Sequence, residues 1–162
     1  MPNWTETEMA VVLPTRNVKA FKDLFLSQNP KENEGKKEYF GRTFIDDSSE
    51  EKNKLGLSCL HVTCECAWSA YSCLIEGYPG GDGHHCPTIK EAIDKNEVKR
   101  LTLYSKEPGI GFEETMTFDR EKSPEVKYES RDLFPDPWNE AAFDDEADEN
   151  SPAEKGGDGP SM

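Results

Sequence analysis

The chain has 162 residues, 33 of them Asp or Glu against 19 Lys or Arg, which gives a net charge of −14 at pH 7 with the three His counted neutral. A field of that sign repels phosphate and gains little from counterion release, so direct binding to a DNA or RNA backbone is disfavoured. No apolar run approaches the roughly 18 residues needed to span a membrane, the start Met-Pro-Asn-Trp-Thr-Glu lacks the basic-then-apolar layout of a secretion signal, and five cysteines show no disulfide framework, so a cytoplasmic protein with reduced thiols is expected.

Glu6 to Leu13 alternates, with Thr7, Met9, Val11 and Leu13 on one side, which predicts a strand closed by Pro14. Thr15 is placed to cap a helix over Arg16 to about Ser27, because Val18, Phe21, Leu24 and Phe25 recur at helical spacing before Pro30. Tyr39 to Ile45 has strand composition and reads as an edge, followed by a polar stretch over Asp46 to Lys54. Leu57 to Cys66 predicts a central strand with Leu60, Val62, Cys64 and Cys66 facing one way and Cys59, His61, Thr63 and Glu65 the other. Ser69 is a candidate cap for a helix carrying Cys73 and Leu74 and reaching toward Tyr78, before Pro79-Gly80-Gly81. Pro87 suits the first turn of a helix containing Ile89, Ala92 and Ile93. Val98 to Ser105 and Gly111 to Asp119 read as strands joined at Glu107-Pro108-Gly109, and Val126 to Ser130 as one more.

This order predicts an α+β fold, a ferredoxin-like antiparallel sheet with helices on one face. The other sheet face would present Cys59, His61, Thr63, Glu65, Glu113, Thr115 and Thr117, a polar set without the aromatic pair that stacks bases in sheet-based RNA readers. Trp4 and Trp68 are expected to close opposite ends of the core.

The charge is unevenly spread. Residues 1–131 hold 23 acidic and 18 basic residues, whereas residues 132–162 hold ten acidic residues and a single Lys, a net of −9. The expected organisation is a domain over residues 1–131 and an acidic, aromatic-containing flexible tail over residues 132–162. Within the tail Phe134, Trp138 and Phe143 stand among Asp136, Glu140, Asp144, Asp145 and Glu146. Aromatic anchors ringed by carboxylates are the form of a linear motif that docks on a basic protein surface, and these eight residues are the candidate partner-binding set. The bland alternative is a solubilising extension.

Other constellations carry less. Cys64 and Cys66 with His84, His85 and Cys86 form the one metal-capable group, but residues i and i+2 on a strand lie about 6.6 Å apart along it and differ from the usual zinc knuckle. Cys59 and His61 point the same way without a partner to complete a triad. Gly80-Gly81-Asp82-Gly83 lacks the Lys and hydroxyl of a phosphate loop. No catalytic residue, metal site or cofactor is assigned.

The start Met1-Pro2-Asn3-Trp4, the stretch Cys66-Ala67-Trp68-Ser69 and the hairpin from Leu103 to Phe112 resemble the YubB-like ferredoxin-fold proteins of bacterial phages and plasmids. The resemblance runs in short blocks over roughly residues 1–120 and excludes the acidic tail. It implies a ferredoxin-like fold without an iron–sulfur cluster, a mobile-element origin in a bacterial host cell and no settled biochemical activity, and it transfers no catalytic residues. The expected function is a non-enzymatic protein that binds a basic, nucleic-acid-handling or defence protein and inhibits it. The alternatives are a small Cys/His metal protein or enzyme, and a structural or assembly subunit.

Overall fold

In a computed structural model of the chain, residues 3–77 and 85–133 are described. They form an α+β structure around a six-stranded antiparallel sheet. Its strands are β1 (Trp4–Pro14), β2 (Thr43–Lys52), β3 (Leu57–Ala67), β4 (Arg100–Glu107), β5 (Phe112–Asp119) and β6 (Ser123–Asp132), in the spatial order β2-β3-β1-β4-β5-β6.

The alternation in β1 and β3 decides the sheet's polarity. Met9, Val11 and Leu13 of β1 and Leu60, Val62, Cys64 and Cys66 of β3 are buried on one face, with Leu101, Leu103, Met116 and Phe118 of β4 and β5 beside them. On that face lie two short helices, α1 (Val18–Lys22) and α2 (Ile89–Lys95), which contribute Val18, Phe21, Ile89, Ala92 and Ile93 to the same core. Phe25 and Phe40 pack edge-on there with ring centroids 5.2 Å apart. Thr88 caps α2 in a reciprocal box: its hydroxyl accepts the Glu91 N–H while Glu91 accepts the Thr88 N–H at 2.7 Å. Pro87 therefore lies before the cap and not in the first turn.

Several expectations change in detail. The first helix stops at Lys22, preceded by a 3-10 turn over Thr15–Asn17, although Leu24 and Phe25 are buried as its apolar stripe required. The chain leaves the helix because its backbone is claimed elsewhere: Phe40 N–H donates to Leu24 C=O at 2.7 Å, and Leu26 bridges Phe44. Thr15 caps nothing, since its hydroxyl bonds Ser58 Oγ at 2.8 Å.

The second strand begins at Thr43, four residues later than Tyr39, and runs through most of the polar stretch. As the sheet's edge it needs only the β3 backbone for pairing, and a bulge between Ile45 and Asp47 accommodates Asp46. Beyond β3 the chain forms a single π-type turn, Tyr71–Ile75, in place of a longer helix. Tyr78, where that helix was expected to reach, lies outside the described residues.

Trp68 does not close the core. It follows β3 with φ 69°, its N–H donates to Asn3 C=O at 2.6 Å, and its side chain is exposed. No helix among the described residues is long and apolar enough to cross a membrane.

Candidate interaction surface

The open face of the sheet is built by strand register. One rung runs Ser49, His61, Ala10, Thr102, Thr117 across five strands, and the next runs Asp47, Thr63, Glu8, Tyr104, Thr115. Ala10 is the smallest member and sits on the middle strand, so the taller side chains around it leave a concavity of about 390 Å³. A third rung, Phe44, Glu65, Glu6, Lys106, Glu113, adds three carboxylates and one ammonium. The outward residues expected from the sequence, Cys59, His61, Thr63, Glu65, Glu113, Thr115 and Thr117, all fall on this side.

That face is less uniformly polar than expected. Trp4 and Phe44 share its parity and meet edge-to-face at 5.6 Å, and the Tyr104 ring is exposed. The Tyr104 hydroxyl donates to Glu113 Oε2 at 2.7 Å, while Arg131 pairs with the other oxygen of the same carboxylate. The Tyr104 bond, followed by the Arg131 charge and bond, holds Glu113 below the usual glutamate range against its partial desolvation. Two carboxylates crowd the other end. Desolvation first, then the charge and hydrogen bond of Asp46, raise Glu65 above its ordinary value, with Glu6 adding repulsion.

The described members of the metal-capable group are not brought together as metal ligands. Cys64 and Cys66 are buried on the core face. There Thr7 and Thr43 hydroxyls approach Cys66 Sγ at 3.8 Å each, and the Cys73 thiol donates to Ala67 C=O at 3.3 Å. His85 instead lies at the surface between Glu38 and Glu91, with Nε2 3.9 and 3.8 Å from their carboxylates. His84 lies outside the described residues. Among the described residues no three His, Cys, Asp or Glu side chains converge as metal ligands. All five cysteines are free.

No protein-family model, curated protein or solved structure matches this chain. The chemistry of the surface therefore rests on its own residues. The eight tail residues singled out in the sequence, Phe134, Asp136, Trp138, Glu140, Phe143, Asp144, Asp145 and Glu146, lie outside the described residues.

Two features went unread in the sequence. Glu114 occupies a core-facing position of β5 and is fully buried, accepting the Ala70 and Tyr71 N–H groups at 2.9 Å each. A charged residue in the inward parity of an alternating strand was the available signal. The Glu107 carboxylate folds back over its own turn to accept the Gly109 N–H at 2.7 Å and the Ile110 N–H, so this buried acid is consumed by turn geometry.

Proposed function

We propose that this protein is a non-enzymatic binding module that engages the basic surface of another protein. The observation that carries the reading is the charge asymmetry: residues 132–162 hold ten acidic residues, one Lys and the aromatics Phe134, Trp138 and Phe143. Aromatic side chains supply large anchoring area, while surrounding carboxylates steer a cationic partner and set register. The uncovered sheet face, with Glu6, Glu8, Asp47 and Glu65 on adjacent rungs, adds a second acidic surface of the same sign.

The partner class favoured by this chemistry is a nucleic-acid-handling protein, whose basic groove suits an acidic, aromatic ligand, and occupying that groove would inhibit it. Direct binding to nucleic acid is not part of the reading. A ferredoxin-like description belongs to the same proposal: β1, α1, β2, β3, α2 and β4 follow one another with the spatial order β2-β3-β1-β4, and β5 and β6 extend that unit. So do a cytoplasmic setting in a bacterial host and a phage or plasmid origin, including inhibition of a defence protein, which the YubB-like blocks support.

An affinity capture from host lysate with the full chain beside one ending at Arg131 tests it. A nucleic-acid-handling protein retained only by the full chain, and released by competing nucleic acid, is the expected result. Equal capture by both chains would move recognition to the sheet face, and capture of only further copies of this chain would favour an assembly subunit.

A further inference from the structure

On the open face of the sheet, Cys59 Sγ lies 3.5 Å from His61 Nε2. Residues i and i+2 of a strand share a face, and here the imidazole turns back along β3 to meet the thiol. Cys59 is half-buried and His61 exposed, and Cys59 also borders a hollow of about 240 Å³ floored by Val12 and Leu57 and edged by Lys52, Arg100 and Glu51. A thiol in contact with an imidazole beside an apolar floor, with two cations at its rim, suits a small disulfide that carries carboxylates.

We propose that Cys59 and His61 form a thiol–disulfide exchange site for an anionic low-molecular-weight disulfide of the glutathione type. With Nε2 unprotonated, His61 takes the Cys59 proton, and the thiolate attacks one sulfur of the disulfide. A new S–S bond forms as the old one breaks, and the departing thiolate recovers the proton from His61. A thiol and a disulfide exchange partners, the disulfide is the sole oxidant, and Cys59 is left as a mixed disulfide.

The charged groups facing the pair act in opposite directions. Glu51 of β2 is the cross-strand neighbour of Cys59 and repels an anionic ligand, and Asp47 and Glu8 flank Thr63 one rung beyond His61. Arg100 of β4 lies across Val12 from Cys59 and offers a cation to the carboxylates of the ligand, although it also faces Asp119 of β5. The remaining thiols provide the contrast. Cys64, Cys66 and Cys73 are buried, and burial pushes the half-buried Cys86 above the ordinary cysteine value.

The test uses the full chain with glutathione disulfide, following adduct formation at each cysteine by peptide mass spectrometry. The range runs from about pH 6 to about pH 9, bracketing the ordinary His and Cys values. Cys59 is expected to react about tenfold or more faster than Cys86, since exchange tracks thiolate fraction and access. His61→Gln should slow Cys59 near neutral pH and displace its rate profile upward in pH. Arg100→Gln should slow glutathione disulfide while sparing the cationic disulfide cystamine, and Glu51→Gln should accelerate glutathione disulfide. Both members of the pair stand on the solvent side of β3, so these substitutions remove no core packing, which an unchanged unfolding midpoint verifies. Cys86 reacting first, or a Cys59 profile unmoved by His61→Gln, overturns the proposal and leaves Cys59 an ordinary surface thiol.

Discussion

The Tyr128 hydroxyl on β6 donates to Glu114 Oε1 on β5 at 2.6 Å, fastening the outer strand to a fully buried carboxylate. The same carboxylate takes the Ala70 and Tyr71 N–H groups, and Ser69 Oγ takes the Ser72 N–H at 3.0 Å, so the free donors at the start of the short Tyr71–Ile75 turn are satisfied from two sides. One side chain thus joins β5, β6 and the segment that follows β3.

Glu114→Ala leaves the buried Ala70 N–H and the part-buried Tyr71 N–H unpaired and opens a void, and should destabilise by about 3 kcal/mol. Glu114→Gln retains one carbonyl acceptor and should cost roughly half as much. Urea unfolding of the two variants beside the parent measures both, and equal midpoints for Glu114→Ala and the parent would refute the role.

Desolvation, then the bond and charge of Glu114, push the Tyr128 phenol above its ordinary value. A folded pKa higher than the unfolded one adds stability that is fully present below the ordinary tyrosine value of about 10 and is lost as pH rises through the folded value. The parent should therefore lose stability on the alkaline side of about pH 10 more steeply than Tyr128→Phe, which cannot ionise there. Thermal melts of the two chains across that range decide it.

What was readable in the sequence follows from where each residue's partners lie. Alternation in β1 and β3 is a local pattern, and the faces assigned to Met9, Val11, Leu60 and Val62 are the faces they occupy. The course of β2 was not readable, because Asp47, Glu50 and Glu51 look like loop and are held as strand by pairing with β3, with Asp46 bulged between them and Ile45. Local periodicity likewise carried α1 past Lys22, where pairing of Leu24 with Phe40 takes the backbone away. The Cys59 and His61 spacing was visible, but the 3.5 Å contact depends on side-chain rotation that a pattern does not encode. Glu114 was visible too, and its partners Ala70 and Tyr71 lie more than forty residues away.

Gly109 and Ile110 N–H groups turn onto Glu107, and Gly111 completes the β4–β5 turn with φ 86°. Glu107→Ala should cost about 1 to 2 kcal/mol by freeing those donors. Gly111→Ala should cost about 1 kcal/mol, since a Cβ disfavours that left-handed backbone. Hydrogen exchange should show the loss first at the ends of β4 and β5, and uniform exchange across the sheet would count against a local role.

At the other end of the open face, desolvation and Asp46 raise the Glu65 carboxyl. This group favours the folded state while protonated, and that contribution fades as pH climbs through the ordinary glutamate value and then the raised one. Asp46→Asn removes the neighbouring charge, so the Glu65 midpoint should fall toward ordinary. Carboxyl-carbon NMR titration follows Glu65 directly, and an unmoved midpoint would leave desolvation and Glu6 as the causes.

For recognition by the tail, anchors and steering charges respond differently to salt. Phe134, Trp138 and Phe143 should each contribute about 2 kcal/mol or more if fully desolvated against a partner, and apolar contact of that kind is insensitive to ionic strength. Rim carboxylates act over a Debye length of about 10 Å at 0.1 M salt and mainly alter the association rate. Replacing the three aromatics by Ala should therefore weaken binding at every salt concentration. Neutralising Asp144, Asp145 and Glu146 should matter most at low salt and fade as screening grows. Calorimetry of the captured partner across a salt series separates the two, with residues 1–131 unchanged in their unfolding. Should the Ala variant bind like the parent, the tail would be a solubilising extension, and the carboxylates at Glu6, Glu8, Asp47 and Glu65 would become the surface to mutate next.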